Sequence, residues 1–541
     1  MGNKLRNKWL NRFRKWHKWP GLFIGLLLIL WSFSGIILNH REFFSGLDIE
    51  RSWMPDEYLY KNWNNSSVKG SINYKEDSLL IYGNIGVWVT DREFSGFREM
   101  NAGFGEGIDN RKASCLLKSS DGNIYAGTYF GLFYFNELIS RWEKIDLPVK
   151  EQRITDIIEK DSSIMVLTRS ELLISDDNPD VFRPVRITLP PPEGYDDKVG
   201  LFKTLWVIHS GEIYGLAGKL IVDLVGLIFI ILTITGVIHF FIPGMIRKRK
   251  KNRKNYLPLT RFKRGTLKWH NRIATWTITL LLVTAITGMF LRPPLLITIA
   301  NTRVGKISYS VLDNPNPWTD KLRAIRWDEN LEKFLVSTSD GMYISDEKFR
   351  ERPRRAPGAP PVSVMGINVF EKLEGGNYLI GSFSGLFLWN PGTARSVNYI
   401  TGEIPGTGNT TGKPIGDYLI SGLIRSENNR AFIFDYNMGV LPVGRNQENL
   451  LMPEKISGAS PMSLWNFALE IHTARFFKFI LGDFYILIIP IFGLAAVVVL
   501  ISGLVVWIKL WARKRSPLKS PRSLRPMPVY IRSKYSKEKT E

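Results

Sequence analysis

Four long apolar runs divide the chain, and each is long enough to cross a lipid bilayer. They cover residues 20–38, 220–242, 273–291 and 484–507. An α-helix needs about 20 apolar residues to cross about 30 Å of hydrocarbon. The first run follows a basic stretch, as in a signal peptide, but it is too long for a signal-peptide core and lacks a small-residue cleavage site, so we expect an uncleaved anchor. The pattern predicts transmembrane helices over 20–39, 213–243, 270–292 and 478–509.

The two long segments between the apolar runs, 40–205 and 293–470, alternate apolar and polar positions as β-strands do. They also resemble each other, because residues 122–136 (GNIYAGTYFGLFYFN) recur 254 residues later as 376–390 (GNYLIGSFSGLFLWN). Strand pairs repeated every 40–45 residues are typical of propeller blades, and each segment has about three. Three blades cannot close a ring. The segments therefore form either one composite platform of about six blades or two separate small β domains.

The net charge of +22 is concentrated in three segments that contain almost no acids. Residues 1–19, 244–270 and 509–541 hold 29 of the 72 Lys and Arg residues and two of the 50 acids. With four spans, these segments share one side of the membrane, which the positive-inside rule makes the cytoplasm. We expect a cytoplasmic N-terminus (1–19), a basic cytoplasmic loop (244–268) and a disordered cytoplasmic tail (510–541). The charge is an orientation signal that also favours anionic lipid, and nucleic acid is not an expected partner.

The single cysteine, Cys115, lies in the first β segment. One cysteine cannot form an intrachain disulfide, and the chain has no C-x-x-C-H motif for covalent haem. We expect Cys115 to be a small buried side chain.

The same short motif precedes the first and the third apolar run. Lys-Trp-His occupies 15–17 and again 268–270, and a glycine, Gly35 or Gly288, follows each histidine by 18 residues. Eighteen residues are about five helical turns, so each histidine shares a helix face with its glycine. Together with the repeated β segments, this motif indicates an internal duplication of two spans each.

The six histidines all lie near the ends of the apolar runs. Side chains that can bind a metal or a proton are costly at membrane depth, so their presence there suggests a function. By the duplication, His17 and His270 are equivalent positions, and His209 and His472 form a second equivalent pair. In a parallel repeat such pairs face each other across an axis along the membrane normal. A flat macrocycle on that axis would take one imidazole from either side. We expect two bis-histidine b-type haems, one near the cytoplasm and one near the exported face.

Other interpretations of these residues remain open at this stage. A histidine at a helix end is often only an interfacial residue, and His40 and His239, which lack a partner in the other repeat, are weaker ligand candidates. Zinc and copper are disfavoured, because no H-x-x-x-H or Cys-His cluster occurs. Asp223 and Asp483, inside or at the rim of the second and fourth spans, would handle protons, position a propionate or simply be solvated.

The chain resembles the PepSY-associated transmembrane family of bacterial inner-membrane proteins. The resemblance rests on motifs in the four predicted helices and their flanks. These are Lys-Trp-His with Ser34-Gly35, its copy with Thr287-Gly288, His209-Ser210-Gly211 and His472-Thr473-Ala474. The resemblance implies b-type haem on the four paired histidines and reduction of ferric siderophores or other iron chelates outside the cytoplasmic membrane. The β segments depart from the family, since they look like propeller blades and not like the usual α+β PepSY modules. The substrate therefore does not carry over.

The sequence favours an α + all-β inner-membrane protein that transfers electrons from a cytoplasmic or quinol donor to a periplasmic iron chelate or protein acceptor. As an enzyme it would be an oxidoreductase of the ferric-chelate reductase class. The alternative is a membrane-anchored, propeller-like sensor or binding module without redox activity. A transporter is disfavoured, because the centres of the spans are almost uniformly apolar.

Overall fold

The computed structural model describes residues 2–179, 182–405, 416–425, 431–441 and 450–515. It divides into two compact units that share the long helices. The helical unit comprises Met1–Gly25, Ile231–Leu282 and Leu494–Glu541, and the propeller unit comprises Leu26–Ile230 and Val283–Gly493.

Four helices among the described residues are long and apolar enough to span a membrane, as predicted. They are Lys8–Asn39, Glu212–Lys251, Leu257–Phe290 and Arg475–Trp511. Apolar chain in lipid must satisfy its backbone hydrogen bonds internally, which is why these runs are helical. Large apolar side chains such as Phe23, Leu224 and Trp276 are exposed along them, where lipid covers them. The α + all-β membrane fold class is thereby confirmed.

The four long helices extend beyond the predicted spans at the ends expected to be cytoplasmic, and two short helices precede the second and the fourth. They are α1 (Gly2–Asn39), α2 (Leu201–Ser210), α3 (Gly215–Lys251), α4 (Leu257–Phe290), α5 (Leu464–His472) and α6 (Ile488–Arg515). The expected loop 244–268 is mostly helical, because Lys and Arg are good helix formers and favour the C-terminal end of α3. Only 252–256 separates α3 from α4. Of the predicted disordered tail, residues 516–541 lie outside the described residues.

Six antiparallel sheets follow one another along the chain, and each joins its strands in sequence order. The first β segment forms blade 1 (Gly70–Lys75, Ser78–Gly83, Gly86–Asp91, Phe97–Glu99), blade 2 (Ala113–Lys118, Ile124–Thr128, Leu132–Asn136, Arg141–Ile145) and blade 3 (Ile154–Lys160, Ser163–Thr168, Leu172–Asp176, Val185–Ile187). The second forms blade 4 (Leu322–Asp328, Lys333–Thr338, Gly341–Asp346, Arg354–Arg355), blade 5 (Ile367–Lys372, Tyr378–Ser382, Gly385–Asn390, Arg395–Asn398) and blade 6 (Ile420–Arg425, Ala431–Asp435, Gly439–Leu441).

The six blades close into one ring, because each packs against the next through a shared apolar core. At the junction of the two β segments, Ile325 of blade 4 donates its backbone N–H to Asp156 of blade 3 (2.9 Å). At the closing junction, the backbone N–H of Leu423 in blade 6 donates to the carbonyl of Lys69, just before blade 1 (3.1 Å). The two segments therefore form one composite propeller, and the alternative of two separate β domains is wrong.

Five tryptophans form a recurring element of the propeller core, and each is almost completely buried. Every indole N–H donates to a backbone carbonyl, so no buried polar group is left unpaired. The pairs are Trp63–Leu450, Trp88–Ile85, Trp142–Met100, Trp318–Pro190 and Trp389–Pro357. Replacing one such side chain by alanine typically costs about 3–5 kcal/mol.

Two short sheets lead from the propeller into α2 and α5. Lys198–Gly200 pairs with Arg303–Gly305, and Asp48–Ile49 pairs with Met462–Ser463. The first residue of each short helix donates its backbone N–H to a carbonyl in the segment after a long helix. Leu201 donates to Thr302, which follows α4, and Leu464 donates to Leu47, which follows α1, both at 2.8 Å. The duplication thus extends to the attachment of the two histidine-bearing helices.

Candidate functional site

The short helices α2 and α5 bring His209 and His472 together. Their ring centroids lie 6.0 Å apart, with the ring planes inclined by 55°. Each histidine lies in the last turn of its helix. The second pair predicted from the duplication is therefore adjacent in space within the propeller unit.

The Nδ1 atoms of this pair are anchored to the long helices. His209 Nδ1 lies 3.0 Å from the Thr284 carbonyl, and His472 Nδ1 lies 3.1 Å from the Trp31 carbonyl. A carbonyl only accepts, so each Nδ1 carries the proton and donates. Nε2 is then left with a free lone pair, which is the form of imidazole that binds a metal.

The Ser-Gly and Thr-Gly dipeptides noted in the sequence lie directly against these rings. Ser34 Oγ is 3.0 Å from His472 Nδ1, and Thr287 Oγ1 is 3.3 Å from His209 Nδ1. A Cβ atom on Gly35 would lie 3.2 Å from His472 Cε1, and one on Gly288 only 2.7 Å from His209 Cε1. The glycines allow the imidazoles to approach the helix backbones. Each glycine therefore makes room for a histidine of another helix, and not for the histidine of its own helix.

The helical unit brings His17 and His270 together in a similar way. Their ring centroids lie 6.1 Å apart and their planes are inclined by 81°. His17 Nδ1 lies 2.9 Å from the Val499 carbonyl, and a Cβ on Gly503 would lie 2.8 Å from His17 Cε1. Here too the backbone of a neighbouring helix fixes the ring.

The anchoring residues of this second pair repeat the hydroxyl-glycine pattern. Ser502, directly before Gly503, donates to the same Val499 carbonyl at 3.0 Å. Thr235, directly before Gly236, lies 2.7 Å from His270 Nδ1. Sequence reasoning missed these two hydroxyls, although a Ser/Thr-Gly dipeptide in each of the four spans was available as a signal.

The two weaker candidates have different surroundings. His239 lies with its ring centroid 5.9 Å from that of His270, and among the described residues neither of its buried ring nitrogens has a hydrogen-bond partner. His40 Nε2 lies 2.6 Å from Asp223 Oδ2, and Asn39 donates to the other oxygen of that carboxylate at 2.9 Å. His40 is therefore engaged with Asp223, while His239 is a third imidazole beside the His17–His270 pair. Asp483 is exposed.

Burial keeps the propeller-side pair in its neutral form. It lowers the pKa of His209, and it lowers the pKa of His472 to about 4, with the nearby His209 adding to the effect. Both imidazoles are therefore uncharged at neutral pH and able to donate a lone pair.

The spacing of both pairs fits one metal centre between two imidazoles. Two metal–nitrogen bonds of about 2 Å, plus about 1 Å from each nitrogen to its ring centre, give about 6 Å between centroids. Among the residues that the structure describes, no group of three or more His, Cys, Asp or Glu side chains could hold a metal ion. Two imidazoles alone under-coordinate a free ion, whereas a macrocycle would supply the other four donors.

Similar solved structures are distant from this chain. The extracellular domain of a hybrid two-component system, BT4673 of B. thetaiotaomicron, is 8% identical with a TM-score of 0.33, and the match covers 69% of this chain and 32% of that one. PorZ of the type-IX secretion system of Porphyromonas gingivalis is 10% identical with a TM-score of 0.31, covering 69% and 37%. The designed protein Ika8 is 8% identical with a TM-score of 0.29, covering 71% and 96%. The chain thus spans about a third of the two natural proteins, and these scores are too low to carry an argument about function.

No curated protein matches the chain significantly. The model of the PepSY-associated TM region matches residues 14–509, which include the apolar runs of all four spans and both histidine pairs. The chain belongs to the PepSY-associated TM region family.

Proposed function

We propose that this protein is an inner-membrane electron carrier with two b-type haems, one on His17 and His270 and the other on His209 and His472. Electrons would pass from a cytoplasmic or quinol donor to a periplasmic acceptor, with a ferric siderophore or another iron chelate as the leading candidate. The basic segments would lie in the cytoplasm and the propeller in the periplasm, as the positive-inside rule requires.

The observation that carries this proposal is the matched geometry of the two pairs. The ring centroids lie 6.0 and 6.1 Å apart. His17, His209 and His472 each have a backbone carbonyl at Nδ1 and a glycine against the ring, and His270 has the Thr235 hydroxyl at Nδ1. Two imidazoles fixed in this way would be able to hold one haem between them. His239 does not displace His17 from this assignment, because His17 has the Nδ1–carbonyl anchor that His209 and His472 also have.

The protein would act by holding the histidine ligands in fixed positions. The backbone carbonyls of Trp31, Thr284 and Val499 would keep the proton on Nδ1 and leave Nε2 free, so that these three imidazoles would hold a haem in a fixed position. Asp223 and His40 form a polar pair within the propeller unit that would balance charge there. When bound, b-type haem supplies a reversible one-electron couple, tuned by its ligands and surroundings.

Visible spectroscopy of the purified protein tests the proposal. Protein from haem-replete cells should show a Soret band and, after reduction, an α-band. His209→Ala and His472→Ala should each remove the same half of the signal, and His17→Ala and His270→Ala the other half. Thr473→Ala, directly beside His472, is the matched control and should retain both haems. If all four alanine variants keep the full spectrum, the assignment is wrong.

A test of the acceptor follows from the same preparation. The reduced protein should be reoxidised by a ferric chelate within seconds, and the His209→Ala variant should lose most of that rate. Reoxidation at the same rate in the variant would remove the propeller-side site from the route.

A binding module without redox activity is the second candidate, and the closed propeller ring favours it. Propellers offer a rigid platform whose loops bind other molecules. Absence of any Soret band would leave this function as the better account.

A further inference from the structure

Cations recur at one position of the propeller, the residue directly before the first strand of a blade. Lys69, Lys112, Arg153 and Lys321 occupy it in blades 1 to 4. The first strands of blades 2 to 6 share a register shift at this same end, so the blades begin in equivalent ways. Four of six blades thus direct a basic residue to one end of the ring.

Other cations join them at this end. Arg323, in the first strand of blade 4, is 9% exposed and uses its guanidinium on the carbonyls of Asp320 and Leu322. Arg41 stacks on Tyr129 with its Cζ 3.7 Å from the ring centroid, and the Cζ of Arg153 lies 5.2 Å from the same ring.

Only some of these charges have a carboxylate partner. Asp109 accepts from Arg41 at 2.7 Å and pairs with Lys112 at 3.1 Å, and Asp320 pairs with Arg169 at 2.6 Å and with Lys203 at 3.2 Å. Lys321 pairs with Asp340 at 3.1 Å.

Within the part of the chain that the structure describes, Lys69, Arg153 and Arg323 form no such ion pair; we call these three the axial basic cluster.

The pKa shifts of these three cations agree with their lack of a carboxylate partner. Burial, assisted by the charge of Arg153, lowers the pKa of Lys69 to about 8. Burial and the charge of Arg169 lower the pKa of both Arg153 and Arg323 to about 10, although the nearby charge of Asp320 acts in the opposite direction on both. The charge of Arg153 also lowers the pKa of Arg323. Unpaired like charges held together away from water destabilise the fold unless a counter-ion joins them.

We propose that the axial basic cluster binds a small soluble anion that carries two or three carboxylate or phosphate groups. Arginine forks pair with the oxygens of such groups, and lysine adds a point charge. Both β segments contribute to the cluster, so the site exists only in the assembled ring. The proposal does not depend on haem.

Calorimetric titration of the full-length protein in detergent with citrate, inorganic phosphate and acetate tests the site. Citrate should bind with one-to-one stoichiometry, acetate should bind at least tenfold more weakly, and binding should weaken as salt rises. Arg153→Gln and Lys69→Gln should each reduce citrate affinity about tenfold or more, while Arg395→Gln, an exposed cation on blade 5, should not change it. An unaltered unfolding temperature would verify that the variants are folded.

The source of the anion is distinguished by repeating the titration in nanodiscs with anionic phospholipid. Undiminished citrate binding there supports a soluble ligand, and displacement by the lipid would overturn that part of the proposal in favour of a headgroup. Failure of both citrate and phosphate to bind, or binding unaffected by Arg153→Gln, would overturn the site itself. Neither result would alter the haem spectrum, so this proposal and the electron-transfer function fail separately.

Discussion

At the residue scale, a hydrogen-bonded Nδ1 that leaves Nε2 free distinguishes the four paired histidines from ordinary interfacial ones. In three of them Nδ1 is bonded to a helix carbonyl, and in His270 it lies 2.7 Å from the Thr235 hydroxyl. Both remaining histidines lack that arrangement. The sequence predicted which histidines pair, because duplication fixes equivalence. It could not predict the carbonyl anchors, since any residue supplies a carbonyl.

Gly288→Ala should selectively disturb the propeller-side site. The added methyl would lie 2.7 Å from His209 Cε1, so the ring must move and its Nε2 with it. We expect loss or a marked shift of one of the two haem signals in the redox-titrated visible spectrum.

Gly226→Ala is the matched control for this change. Its methyl would lie 3.6 Å from the Ser32 carbonyl, an ordinary contact, so both signals should persist. Equal effects of the two alanine substitutions would show that general helix packing, and not the histidine, responds.

At the element scale, the buried ion pairs of Asp109 and a closing segment before blade 1 stabilise the propeller. Arg41, just after α1, binds Asp109 through two hydrogen bonds of 2.7 and 2.8 Å. Residues before blade 1 pair with blade 6: Asn65 donates its backbone N–H to the Tyr436 carbonyl, and Val440 donates its backbone N–H to the Asn62 carbonyl. Strand alternation predicted the blades, but this closing segment has no alternation to mark it.

Acid should destabilise the propeller through Asp109. Burial alone would raise its pKa, but hydrogen bonds from Arg41 and the charge of Lys112 outweigh it and lower the pKa to about 2. Because the folded pKa lies below the unfolded value of about 3.9, the stabilisation is complete above about pH 4. It is lost as pH falls toward 2, at about 1.4 kcal/mol per unit of pKa shift.

Urea unfolding between pH 7 and 2.5, followed by tryptophan fluorescence, checks this dependence. Asp109→Asn should be destabilised by about 3–5 kcal/mol at neutral pH, because two buried cations lose their partner. It should also show a shallower acid slope. Asp56→Asn, at an exposed ion pair with Lys61, should behave like the unaltered protein, and an unchanged acid slope in Asp109→Asn would refute the assignment.

Gly422→Ala should weaken the closure of the ring. A Cβ there would lie 2.4 Å from the Val68 carbonyl, at the junction of blades 6 and 1. We expect a loss of about 2–4 kcal/mol in the free energy of unfolding. The control Gly458→Ala, whose Cβ would have no neighbour within 4 Å, should lie within about 1 kcal/mol of the original; similar losses in both would argue against strain at the closure.

At the scale of the whole molecule, two repeats each supply half of a propeller and one member of each histidine pair. The repeat was readable from sequence because its motifs recur almost unchanged. The sequence could not predict that the two sets of three blades join into one ring. The contacts that join them are between residues far apart in sequence, such as Asp156 and Ile325.

Dividing the chain between its repeats tests this interdependence. Residues 1–253 and 254–541, cut between α3 and α4, should each be degraded when produced alone, because three blades leave two uncovered edges. Produced together, they should co-purify and give one cooperative unfolding transition. Stable, monomeric halves would contradict the composite ring.

The most direct measurement of the central claim is the haem content and reduced-minus-oxidised visible spectrum of the purified full-length protein from haem-replete cells. The account predicts two b-type haems per chain, with His209→Ala and His472→Ala each reducing that number to one. A colourless preparation, or a haem content unaffected by these substitutions, would contradict it.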